Sequence, residues 1–183
     1  MYPAGHYGVA LLVAAPVAAF LGRKAGTVFS TFVLLVAVLP DIDKHVPGVV
    51  HHGVTHTFLF AAVAAVVVGA LAGAAYWAYV VSPATPRWPT LSPKRVFVWA
   101  TVGTFLGVAG HIVADVLVLL PGTQPVSPFW PVFNRKLHYE IVPLGAPVRN
   151  LALLAAGFAV QAAIYHFDDS SRSGGQTLAS YFR

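Results

Sequence analysis

Two residues one helical turn apart, His111 and Asp115, sit inside a long apolar run, Gly110-His111-Ile-Val-Ala-Asp115. The i,i+4 spacing puts both side chains on one face of a helix. A single metal ion can reach both, and imidazole and carboxylate are ligands for zinc and other transition metals. The pair also fits a plain His–Asp hydrogen bond that packs a bundle. Asp41 and Asp43 follow a short apolar stretch in Leu39-Pro40-Asp41-Ile-Asp43. In an extended segment these carboxylates diverge, whereas in a turn they can converge. Either then binds a metal or acts as general base on water; the bland reading is a solvated helix end. Three imidazoles crowd His51-His52-Gly53-Val54-Thr55-His56-Thr57 just before the longest apolar run. A helix starting near His51 would put His52 and His56 on one face. A later start would let His51 fold back beside His56 through Gly53. Thr55 is the candidate helix cap. His6 opens the first apolar run. Ionisable groups in such places are costly unless paired or metal-bound, so they mark functional sites by default.

The elements that position these residues are membrane spans. The 183-residue chain is 57% hydrophobic and 9% charged, with mean hydropathy +0.73. A soluble domain carries about 25% charged residues. Apolar runs of about 20 residues are expected for spans. They read as Gly5 to Gly22, Ala25 to Pro40, Thr55 to Val81, Arg95 to Leu120 and Pro147 to Tyr165. The second is short enough to require local thinning of the bilayer or partial insertion. Gly69, Ala70, Gly73 and Ala74 permit close helix contact in the third. The proline-rich segment 82–94 is a loop. The expected fold is an all-α, polytopic membrane bundle of about five spans over residues 1–166, with a polar tail at 167–183. The first run lacks a basic leader and reads as a retained span rather than a signal peptide.

The chain has no cysteine, so any metal is held by nitrogen and oxygen. The net charge of +5 reads as basic residues flanking spans, and no nucleic-acid partner is expected. With five spans the richer basic side holds Arg23, Lys24, Arg87, Lys94, Arg95, Arg172 and Arg183. The positive-inside rule makes it cytoplasmic. His6, the Asp41–His56 segment, the His111–Asp115 end of the fourth span and the loop around His138 then share the outer face. That loop, Pro128 to Glu140, mixes aromatic and basic residues. It reads either as an interfacial anchor or as a headgroup contact in which Arg135 or Lys136 meets a phosphate. Arg135 and His138 are the candidate substrate contacts.

Taken in order, these residues resemble the YdjM-like family of membrane-bound metal-dependent hydrolases, the LexA-binding inner-membrane protein family. The resemblance covers residues 5 to 140. It runs through His6, the Asp41/Asp43 turn, the His51–Thr57 box, the His111/Asp115 helix and Pro128-Phe129, with His52 standing where the pattern has arginine. The layout is also similar, more distantly, to zinc-dependent phospholipase C and P1-type nuclease. That likeness implies a zinc held by Asp41 or Asp43, His56, His111 and Asp115, with Asp115 bridging to a second metal at His6.

The leading expectation is therefore a multi-pass inner-membrane hydrolase. It would use zinc or another divalent ion, held among His6, Asp41, Asp43, His51, His56, His111 and Asp115. Asp41 or Asp43 would be the base, and a phospholipid or other phosphoester the substrate. A metal-stabilised scaffold for a protein partner is the alternative, and an ion or metal transporter the third reading.

Overall fold

The computed structural model describes residues 1–82, 91–117, 124–137, 139 and 147–172, with side chains to 167. Five helices carry the chain: α1 Pro3–Leu21, α2 Arg23–Val36, α3 Phe58–Val81, α4 Pro93–Leu117 and α5 Pro147–Arg172. Each lies in a span long and apolar enough to cross a bilayer. Among the described residues the one β feature is an isolated antiparallel bridge between Val126 and Leu137. The fold is the expected all-α membrane bundle.

α1 is central, packed against α2, α4 and α5, while α3 packs on α4. Gly22 alone joins α1 to α2, at φ 80, a left-handed conformation open to glycine and costly for other residues. The core is built from small residues, among them Ala10, Ala14, Ala18, Ala61 and Ala65. Valines and leucines such as Val28, Val66 and Leu71 point outward. Lipid tails solvate those side chains as well as a core would, so close backbone packing holds the helices together. Gly69 and Gly73 of α3 meet Thr101 and Phe97 of α4, while Ala70 and Ala74 are exposed. A part-buried polar clamp ties α1, α2 and α5: Ser30 donates to Gln161 Oε1 at 2.9 Å, and Gln161 Nε2 donates to the Leu11 carbonyl at 2.7 Å.

A β-carbon on Gly107 of α4 would stand 2.9 Å from the Val33 carbonyl oxygen and 3.3 Å from Ala37 N. Backbone cannot rotate aside, so Gly107→Ala pushes α2 away from α4. The expected cost is about 1–3 kcal/mol, seen as a lower thermal midpoint in detergent.

The second span departs from its expected end at Pro40. α2 stops at Val36, and a 3-10 helix, Leu39–His45, extends the apolar element to His45. Asp41 and Asp43 therefore belong to the end of the span. Pro40 sits at the start of this 3-10 helix, where its missing N–H is least harmful. The third helix also begins later than Thr55. Thr57, not Thr55, is its cap: Thr57 Oγ1 accepts from Phe60 N at 3.0 Å. Thr55 lies in the 3-10 turn Val54–His56, and its hydroxyl is committed to Asp43 at 2.7 Å. α5 runs past Tyr165 to Arg172, so the first residues of the polar tail continue the helix.

Candidate metal centre

The N-terminal ends of α1, α3 and α5 meet the far ends of α2 and α4 at one end of the bundle. His6 comes from α1, Asp41 and Asp43 from the 3-10 helix, His51, His52 and His56 from the α2–α3 connection, and His111 and Asp115 from α4. His6, Asp43, His52, His56, His111 and Asp115 are buried.

Asp115 is the hub. Its Oδ2 lies 3.1 Å from His111 Nε2, 3.6 Å from His56 Nε2 and 3.7 Å from His52 Nε2. Its Oδ1 faces His6 Nε2 at 3.3 Å and accepts from the Met1 ammonium at 2.8 Å. Asp41 Oδ1 lies 3.6 Å from both His56 Nε2 and His111 Nε2, and pairs with Lys44 at 2.8 Å. The His6 and His111 rings stack in parallel, 3.8 Å apart.

Asp43 works from behind this set. A 3-10 helix has three residues per turn, so residues two apart point to different sides, and the two aspartates bracket His56. Asp41 faces its Nε2, and Asp43 Oδ2 faces its Nδ1 at 3.2 Å. Asp43 Oδ2 also accepts from Thr55, and Oδ1 pairs with His51 Nδ1 at 3.0 Å. Both Asp43 oxygens are thus engaged by groups that orient an imidazole, the usual support of a metal-ligating histidine.

The connection folds His51 back toward His56, with ring centres 5.1 Å apart, and Gly53 N closes the turn on the Val50 carbonyl. His52 turns inward at φ 63, a conformation uncommon for residues with a β-carbon. Its Nδ1 bonds the Gln124 carbonyl, which directs Nε2 to Asp115. His51 and His52 thus face different carboxylates. His52 stands outside the ligand set expected from the sequence, because its inward turn depends on one backbone angle. Lys44 was also not anticipated; its i,i+3 spacing from Asp41 was the available signal. Arg135 is exposed and does not line the cavity beside the site. His138 lies outside the described residues.

The arrangement has the chemistry of a cation site. His56 Nε2 and both nitrogens of His111 are buried and make no hydrogen bond among the described residues. The Nε2 atoms of His56 and His111 nevertheless point at carboxylate oxygens. Buried polar atoms are seldom left this way, and one divalent ion would satisfy the two Nε2 atoms together. Ligand atoms of Asp41, His56 and His111, and of His6, His111 and Asp115, lie within 4.8 Å of one another. So do those of His51, His52 and His56, and of Asp41, Asp43 and His51. A cavity of about 250 Å³ opens beside them, lined by His6, Asp41, Lys44, His51, His52 and Asp115, with Met1.

Burial pushes the His52 and His56 imidazoles below their ordinary 6.5, against the opposing pulls of the Gln124 carbonyl and Asp41 respectively. Each binds fewer protons folded than unfolded in the window below pH 6.5. The fold stability these groups contribute, and the affinity for any metal they would hold, are therefore fully present above that pH and decline as it falls. Zinc competition titrations between about pH 5 and pH 8 should show a plateau at the alkaline end and a steep loss at the acid end.

The family model described as YdjM inner membrane protein matches residues 1–179. No curated protein and no solved structure matches the chain.

Proposed function

The chain belongs to the YdjM inner membrane protein family, and we propose that it is a membrane-embedded, divalent-metal-dependent hydrolase acting on a phosphoester-bearing amphiphile. One observation carries this reading: unbonded, buried imidazole nitrogens of His56 and His111 converge on Asp41 and Asp115 beside a polar cavity. His56, His111, Asp41 and Asp115 would hold the ion, with His52 beside them. The second oxygen of Asp115 and His6 would serve a further ion. An all-nitrogen and oxygen set of this kind suits zinc. Such an ion supplies Lewis acidity, acidifying water and polarising a phosphoryl or acyl oxygen.

The remaining work falls to the chain's own side chains. Thr55, His51 and His56 engage both oxygens of Asp43, which favours an orienting role for it. His51 is better placed to move a proton. Asp43 fixes its Nδ1, which leaves Nε2 as the nitrogen available in a ring that lines the cavity. Lys44 lines the same cavity and can neutralise an anionic substrate. The order of His6, Asp41, His56, His111 and Asp115 is similar to that of zinc-dependent phospholipase C and P1-type nuclease, which favours a phosphodiester. A site at the ends of the spans favours a lipid, and the basic flanks favour its lying at the extracytoplasmic face.

Zinc-loaded protein in mixed micelles should hydrolyse phospholipid or bis(p-nitrophenyl) phosphate. A chelator should remove that turnover and added zinc restore it. Protein that holds zinc but cleaves no ester would sink the hydrolase reading and leave a metal-stabilised scaffold for a protein partner.

A further inference from the structure

The segment from Gln124 to Tyr139 is fastened to the site end of the bundle at several points. The Gln124 carbonyl bonds His52, and the Pro128 carbonyl accepts from Phe58 N at 2.8 Å, at the start of α3. Val126 is buried against Ala61, Val108 and Ile112. Leu137 N returns to the Val126 carbonyl at 2.8 Å, and Tyr139 N to the Val116 carbonyl at 2.9 Å. Both stems of a hairpin are thus pinned to α3, α4 and the histidine segment.

Its tip is the opposite of buried. Phe129 and Trp130 are exposed, Val132 is 76% exposed and Phe133 66%. Arg135 and Lys136, also exposed, follow on the returning stem. Phe129 keeps one side on Phe58 at the start of α3, ring centres 5.4 Å apart, whereas a fixed loop that turns Val132, Phe133 and much of Trp130 outward must place them against something apolar. The hairpin stands where α3 begins and α4 ends, at the end of two spans. That is the level of the headgroups, where aromatic rings and basic side chains are favoured together.

We propose that residues 129–136 form a membrane-dipping hairpin tip: Phe129, Trp130, Val132 and Phe133 enter the leaflet at the site end of the bundle, and Arg135 and Lys136 bind the phosphates of anionic lipid. The occupant of this surface is the lipid surface itself. The proposal goes beyond the hydrolase reading and does not depend on it. It does give that reading a geometry, because the stem that anchors the hairpin also holds His52.

The absence of cysteine makes the test direct. A spin label at Val132→Cys, with Phe133→Cys as a second position, is read in vesicles by collision with oxygen and with a water-soluble nickel chelate. The label should meet oxygen more often than nickel. In phosphatidylglycerol vesicles, Arg135→Glu with Lys136→Glu should shift it toward nickel access; in phosphatidylcholine the same change should shift it little. Dominant nickel access in the parent would make the hairpin an aqueous loop and overturn the proposal. Low access to both probes would seat it against protein and also overturn it. An unchanged label in phosphatidylglycerol after charge reversal would overturn the role of Arg135 and Lys136. Zinc content of the same samples is measured separately, so failure here leaves the metal centre standing, and loss of the metal centre leaves the hairpin standing.

Discussion

Detergent-purified protein incubated with zinc should retain about one ion per chain or more, and His111→Ala and Asp115→Ala should each lose it. The reason is the hub geometry. Asp115 Oδ2 faces three Nε2 atoms, and His111 Nε2 faces both Asp115 and Asp41. Removing a supporting partner from a metal site costs about 10–100-fold in affinity, and removing a ligand shared this widely costs more. Asp115→Asn keeps the shape and removes the charge, so it separates ligation from packing: it should lose zinc while the helical circular dichroism remains. Zinc should raise the wild-type thermal midpoint by mass action on the folded state, about 4 kcal/mol at a thousandfold excess over Kd. The variants should show no such rise. Wild type that stays metal-free after zinc incubation, with variants that unfold, would make the His–Asp pair a packing element.

Much of this arrangement is legible in the sequence. The His111–Asp115 spacing needs only a helix, and an apolar run of that length guarantees one in a membrane. His6 joined the set through topology alone, since alternating spans return its end of the bundle to the same face. The 41–43 turn was less readable. Its two carboxylates take different tasks because the chain there winds as a 3-10 helix, and sequence does not distinguish that from a solvated loop. The choice between His51 and His52 rested on one left-handed residue and on the Gln124 carbonyl, a backbone group 72 positions away. Backbone acceptors carry no signature in sequence. The same holds for the start of α3. Thr55 is the cap candidate in the sequence, and the demand of Asp43 for a hydroxyl takes it out of that role and leaves Thr57 as the cap.

The second large effect belongs to a residue that need not hold the metal at all. His51→Ala should keep the zinc stoichiometry and lower kcat about 10²–10⁴-fold, the usual contribution of a positioned acid–base group. Asp43 fixes the His51 ring through Nδ1 at 3.0 Å, and the ring is only part-buried at the cavity wall. His56, by contrast, is fully buried and has Asp43 on one nitrogen and Asp41 and Asp115 around the other. Asp43→Asn therefore touches both histidines at once. It should lower kcat as His51→Ala does, and in addition weaken zinc about 10–100-fold through His56. The double variant should be no slower than the slower single one at saturating zinc, because both changes disable one dyad. Turnover at saturating zinc separates this role from a structural one: His51→Ala should stay slow while the acid loss of zinc persists. Should His51→Ala release zinc, His51 is a ligand and the proton must be moved by another group at the cavity.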